Sequence, residues 1–121
     1  MTIEDFKKQL DLPIIASPMF LVSNAKLVIE TCKNGVCGTI PSLNGRTAED
    51  FENILIEITE TLKKHEEETG KKPAPFGVNL IVNKTNPRLE TDLKLCIKYR
   101  VPLIITSVSY THLRAHETLR Y

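Results

Sequence analysis

The sequence has almost no excess charge and no long apolar run. Sixteen Lys and Arg residues are balanced by fifteen Asp and Glu residues, which gives a formal net charge of +1. This balance gives no electrostatic reason to expect nucleic acid or an anionic membrane as a partner. No apolar stretch approaches the roughly 20 residues that cross a bilayer, and the opening MTIEDFKKQL is too polar for a secretion signal. We therefore expect a cytoplasmic protein without a nucleic-acid or membrane partner.

Cysteine is scarce, and its number is odd. Cys32, Cys37 and Cys96 all lie among apolar residues. In a reducing compartment such cysteines are expected to be small components of the core. Four residues separate Cys32 from Cys37, but no second pair completes a tetrahedral metal site. The sequence therefore predicts no bound metal.

Short apolar runs alternate with segments of helical periodicity. Strands are predicted at residues 12–17, 36–40, 76–82 and 101–106. The helices between them are predicted to begin at Ser23 or Asn24, at Thr47, and at Asn86-Pro87. The longest has a buried stripe formed by Phe51, Ile54, Leu55, Ile58 and Leu62. This βα alternation predicts four parallel strands joined by three crossover helices.

Two architectures have this alternation, a doubly wound open sheet and a (β/α)8 barrel. The first strand is followed by Ser17-Pro18-Met19-Phe20 and not by the glycine-rich turn of dinucleotide-binding sheets. A barrel takes about 250 residues, and four strands are half of one. We therefore predict an α/β fold that is the N-terminal half of a (β/α)8 TIM barrel, interrupted near Ser107.

The last residues do not continue this pattern. Residues 108–118, VSYTHLRAHET, match in order the translation of one frame of a widely used transposase sequencing adapter. His112 and His116 could form a metal pair on a helix, but the adapter match is the more specific interpretation. We therefore expect residues 1–107 to be the partial barrel domain and residues 108–121 to be a non-native tail.

The predicted strands end in small, neutral residues. These are Ser17, Pro18 and Met19 after the first strand, Pro41-Ser42 after the second, Asn79 in the third and Thr106-Ser107 at the fourth. Active sites of parallel α/β folds lie at this edge. The set has no acid–base pair, no nucleophile with a base and no phosphate loop. Such a site often leaves the chemistry to a cofactor.

Two segments together resemble the nitronate monooxygenases, formerly called 2-nitropropane dioxygenases. They are residues 13–19, PIIASPM, and residues 75–80, PFGVNL. The resemblance implies an FMN-dependent barrel that oxidises alkyl nitronates with molecular oxygen. It also implies that Ser17, Pro18 and Met19 pass close to the isoalloxazine through backbone groups, and that the Asn79 amide points toward the flavin. Phe20 departs from the small residue common there in the family, so its ring is expected to narrow the pocket.

Two other hypotheses about the function remain open. The flavin-dependent enoyl-acyl carrier protein reductases resemble the same opening motifs, and the residues that distinguish them are expected beyond residue 107. The base histidine that the resemblance implies is also expected there, and His65 on a charged helix end cannot replace it. The third reading is an inactive half-barrel that self-associates through its open edges.

Overall fold

A computed structural model of the chain describes residues 2–108. Its helices are α1 (Ile3–Lys8), α2 (Ala25–Lys33), α3 (Ala48–Thr69) and α4 (Leu89–Lys98). Its strands are β1 (Thr39–Pro41), β2 (Gly77–Ile81) and β3 (Leu103–Ser107), with a short 3-10 helix at Ser42–Asn44. The strands form one parallel sheet in the order β1-β2-β3. The predicted α/β class and its three crossover helices, α2, α3 and α4, are confirmed.

The predicted first strand at residues 12–17 is reduced to one parallel bridge between Ile15 and Cys37. The Ala16 N–H donates to the Cys37 carbonyl at 2.8 Å, so the segment lies beside β1 in the expected direction. Pro13 has no N–H to donate to a ladder. The Ile14 N–H bonds to the Leu12 carbonyl within the segment, at 2.7 Å, and not to the neighbouring segment. The described sheet therefore has three strands and a bridge where the sequence predicts four strands.

The core lies between the sheet and the helices. Phe51, Leu55 and Ile58 of α3 are fully buried, together with Ile40 of β1 and Val78 of β2. The spacing of the α3 residues is that of one helix face, as the sequence predicts. Burial of each such side chain contributes roughly 1.5–3 kcal/mol. No helix within residues 2–108 is both long and apolar enough to cross a membrane.

Side-chain caps determine where the helices begin. The Asn24 side chain accepts the Leu27 N–H at 2.8 Å, so Asn24 and not Ser23 caps α2. Thr47 caps α3 as predicted. Helix α4 begins at Leu89, later than the predicted Asn86-Pro87, because the Asn86 side chain forms a turn by accepting the Arg88 N–H at 3.1 Å.

The two faces of the sheet differ in what covers them. Side chains alternate along a strand, and partners in a parallel register share a face. Val78 and Leu80 belong to the core beneath the helices. Asn79 therefore lies on the opposite, inner face, in register with Pro41 of β1 and Ile105 of β3. In a closed barrel this inner face lines the interior.

Candidate functional site

The segment Ser17-Pro18-Met19 lies at the carboxyl edge of the sheet, beside β1. Ser17 and Met19 are exposed, and Pro18 is half-buried. The hydroxyl of Thr39 in β1 donates a hydrogen bond to the carbonyl of Ala16, immediately before the segment. The segment is thus attached to the strand whose Pro41 is in register with Asn79. All four residues predicted for the site belong to one edge of the sheet.

Met19 is held by Ser23, which precedes α2. The Met19 N–H donates to Ser23 Oγ at 2.8 Å, and the Ser23 N–H donates to the Met19 carbonyl at 3.0 Å. The Met19 N–H is therefore engaged within the loop. Among the described residues the Ser17 N–H has no acceptor. Of the backbone donors predicted to face a flavin, the Ser17 N–H is thus the one available to a ligand.

Asn44 anchors the same loop from the next one. Its side-chain amide donates to the carbonyls of Met19, at 3.1 Å, and Ser23, at 2.7 Å, and its Oδ1 accepts the Leu21 N–H at 3.0 Å. These bonds hold Leu21 at φ 65°, in the left-handed region that side chains rarely adopt. Phe20 stays 65% exposed. The sequence did not single out Asn44, because no local pattern reveals a partner more than twenty residues away.

Asn79 is oriented by the neighbouring strand. Ser107 Oγ in β3 donates to Asn79 Oδ1 at 3.0 Å, and Asn79 is half-buried. Because the amide oxygen is used in this bond, the Nδ2 group remains as a donor without a partner among residues 2–108. The edge of the sheet therefore presents two free donors, the Ser17 N–H and Asn79 Nδ2.

A cavity of about 190 Å³ lies between the Ser17-Pro18-Met19 segment and α2, lined by Ser17, Met19, Leu27, Thr31 and Thr39 among others. Pockets for cofactors and drug-sized ligands usually measure about 300–1,000 Å³. This cavity is therefore smaller than the usual range. The inner side of the segment, which Asn79 also faces, is open to a larger ligand.

Arg88, at the start of α4, forms a buried ion pair and also binds the loop that follows β1. Arg88 Nη2 lies 3.1 Å from Asp92 Oδ1, and Asp92 is fully buried. The Arg88 guanidinium also donates to the carbonyls of Ser42, at 3.3 Å, and Gly45. A side chain on Gly45 would collide with the backbone of Phe51, so this close approach requires glycine. Sequence reasoning missed this pair, although its i, i+4 spacing was a local signal.

The cysteines are placed as core residues. Cys32, Cys37 and Cys96 are buried and free of disulfides. Burial raises the pKa of Cys32 to about 11 and those of Cys37 and Cys96 to about 12, so all three stay protonated at neutral pH. Within residues 2–108 no cluster of His, Cys, Asp and Glu side chains could hold a metal ion. The absence of a metal stays a prediction, and His112 and His116 lie outside the described residues.

Comparisons with known proteins bear on the fold. No protein-family model and no curated protein sequence matches the chain. A solved structure similar to it is that of a single-residue mutant of FabK from Thermotoga maritima, with a TM-score of 0.66 and 22% sequence identity. The match covers 88% of this chain and 32% of the FabK chain. The chain thus has the fold of part of a TIM barrel and spans about a third of that neighbour's length.

Proposed function

We propose that residues 1–107 form the first half of an FMN-dependent barrel oxidoreductase that oxidises alkyl nitronates with molecular oxygen. The observation that carries this proposal is the Asn79 amide, which Ser107 fixes so that its N–H donor faces the inner side of the sheet. The free Ser17 N–H belongs to the same edge. The resemblance of residues 13–19 and 75–80 to the nitronate monooxygenases supports the choice of substrate.

The residues at this edge fit the ring of a flavin. An isoalloxazine presents carbonyl oxygens and ring nitrogens that accept hydrogen bonds, and the Ser17 N–H and Asn79 Nδ2 are matching donors. Pro18 and Met19 would contact the apolar part of the ring. When bound, the flavin supplies the electron transfer. The protein side would position the ring and tune its electron affinity through neutral donors that add no charge.

A second candidate reaction is that of the flavin-dependent enoyl-acyl carrier protein reductases, which resemble the same opening motifs. FabK is a flavin-dependent enoyl-acyl carrier protein reductase with a TIM-barrel fold. That reaction would also use a flavin, but it would require a nicotinamide cofactor and an enoyl thioester in addition. Under either candidate the proposed flavin site at Ser17 and Asn79 is the same, and the substrate differs.

Activity assays on a longer protein that contains residues 1–107 would distinguish the two reactions. Oxygen uptake with an alkyl nitronate, and no NAD(P)H consumption with an enoyl thioester, is the result that the nitronate proposal predicts. The reverse pattern would replace it with the reductase. A purified protein that retains no flavin would contradict both.

For residues 1–121 alone we propose an inactive chain that binds FMN weakly or not at all. The base histidine implied by the resemblance is not among residues 1–107. Within residues 2–108, β3 pairs only with β2, and Ile104 on it is 38% exposed. We propose that this open edge promotes self-association, which light scattering would detect as a mass above one chain. We also propose a cytoplasmic location.

The proposal that residues 108–121 are a non-native tail is tested by sequencing the source DNA. Residues 109–121 lie outside the described residues, and only Val108 of the proposed tail lies within them. If residues 108–121 are non-native, the source DNA read through Ser107 contains no adapter bases and encodes a different continuation. An uninterrupted genomic reading that encodes VSYTHLRAHET would contradict the proposal.

A further inference from the structure

A second cavity opens at the carboxyl edge of the sheet, and neither Ser17 nor Asn79 belongs to its lining. It measures about 460 Å³, which is within the range of small-molecule pockets. Three successive loops line it: the one with Phe20, the one after β1 with Leu43 and Arg46, and the one after β2, which continues to Arg88. Loops in this position form the active-site mouth of a (β/α)8 barrel.

One wall of this cavity is apolar. It is formed by Phe20, Leu43 and Ile81. Phe20 is 65% exposed although it is a large apolar side chain, and the bonds from Asn44 keep its loop in place. A ligand that covered this ring would gain roughly 25 cal/mol for each Å² of apolar surface removed from water. The wall thus favours a ligand with an apolar part.

The other wall is cationic and has no acid. Arg46 and Arg88 line it, and no Asp or Glu does. The Arg88 guanidinium is fixed by Asp92 and by the Ser42 and Gly45 carbonyls, and its buried Nε has no partner among the described residues. Arg46 is exposed, and no acidic side chain within residues 2–108 lies within ion-pair distance of it. Arg46 therefore supplies an uncompensated positive charge.

We propose that this cavity binds a small planar monoanion with a short apolar tail, with Arg46 on the anionic group and Phe20 on the tail. A guanidinium forms paired hydrogen bonds with two oxygens that share one negative charge. Carboxylates and nitronates both have this geometry. If the ligand is an alkyl nitronate, the cavity holds the substrate of the proposed oxidation, and in that respect the inference rests on the proposed function.

The test is an NMR titration of the isotope-labelled chain, residues 1–121, with hexanoate and without flavin. The proposal predicts signal changes at Phe20 and Arg46, and weaker binding of both acetate, which lacks the tail, and hexan-1-ol, which lacks the charge. Arg46→Gln should weaken hexanoate binding about fivefold, and Arg46→Lys should retain most of it. Phe20→Ala should weaken the binding of hexanoate but not that of acetate.

Arg100→Gln is the matched control, because Arg100 is exposed and precedes the amino end of β3. Equal losses in Arg46→Gln and Arg100→Gln would overturn the proposal, as would hexan-1-ol binding as tightly as hexanoate. Inorganic phosphate binding more tightly than hexanoate would overturn it in favour of a tail-free anion site. Because no flavin is present, failure here is separate from failure of the proposed function, which oxygen uptake on the longer protein measures.

Discussion

Ser107 Oγ donates to Asn79 Oδ1 across 3.0 Å, between neighbouring parallel strands on the inner face of the sheet. The bond uses the oxygen of the amide and leaves its N–H donors facing the space where the ligand of a barrel lies. A neutral amide fixed in this way can bind an acceptor without adding charge. Ser107 therefore acts as a positioning residue for Asn79.

Replacing Ser107 should disturb Asn79 in a way that replacing its neighbour does not. Ser107→Ala removes the hydrogen bond, so the NMR signals of the Asn79 side-chain amide should shift and broaden. In a longer protein that contains residues 1–107, the same change should weaken FMN binding about fivefold, the value of one neutral hydrogen bond. Thr106→Ala, on the opposite face of β3, is the control. Equal effects of the two variants would contradict the positioning role.

Asn44 anchors the loop that contains Met19, Phe20 and Leu21, and this anchoring is also testable. Asn44→Ala leaves the Leu21 N–H and the Met19 and Ser23 carbonyls without their partner, and it removes the bonds that hold Leu21 in its left-handed conformation. The free energy of unfolding in urea should fall by about 1–3 kcal/mol. Limited proteolysis should then cut near Phe20.

Asn34→Ala is the control for the Asn44 variant. It removes one exposed hydrogen bond, from Asn34 to the Glu30 carbonyl at the end of α2. Its effect on the unfolding free energy should be clearly smaller. An Asn44 variant that is as stable as the Asn34 variant, and as resistant to protease, would show that Asn44 does not hold the loop.

The sequence predicted those features that depend on local pattern. The apolar stripe of α3 and its Thr47 cap are periodic or adjacent in the chain, and they are confirmed. The first strand was over-predicted because an apolar run shows propensity but not hydrogen bonding, and the Ile14 N–H bonds to the Leu12 carbonyl within the segment. The contacts of Asn44 and Ser107 join distant residues and have no signature in a single sequence. The flavin roles of Ser17, Pro18, Met19 and Asn79 stay predictions.

Removing only the cation of the buried Arg88–Asp92 pair should lower the free energy of unfolding more than removing both charges. Arg88→Met leaves the fully buried Asp92 carboxylate without its cation, and we expect a loss of about 3 kcal/mol in the free energy of unfolding. Adding Asp92→Asn removes the unpaired charge and should recover part of that loss. Lys94→Met, which removes an exposed pair with Glu90 on the same helix, should change little. A double variant no more stable than Arg88→Met would contradict this account.

The buried cysteines should make the free energy of unfolding depend on pH in the alkaline range. Their pKa values are raised by burial from 9.0 to about 11 for Cys32 and about 12 for Cys37 and Cys96, so the folded chain keeps thiol protons that the unfolded chain releases. This contribution is complete below pH 9.0 and is lost as the pH rises from there toward 11–12. The midpoint of urea unfolding should fall across this window, and less so in a variant with Cys32, Cys37 and Cys96 all changed to Ala.

The same burial protects the thiols from reagents. At pH 8 a disulfide reagent should react slowly with the native chain and rapidly with all three thiols in urea, because the thiolate is the reactive form. Rapid reaction of the native chain would show that the cysteines are accessible and that their placement in the core is wrong.

The central claim, that residues 1–107 are the first half of an FMN-binding barrel, is tested most directly by the flavin content of a longer protein. The coding sequence contiguous with residues 1–107 would be recovered from the source DNA, and the purified protein would be denatured to release its flavin for chromatography. The account predicts further βα units and about one FMN per chain, as for a single-site cofactor. A longer protein that folds but releases no flavin would contradict it.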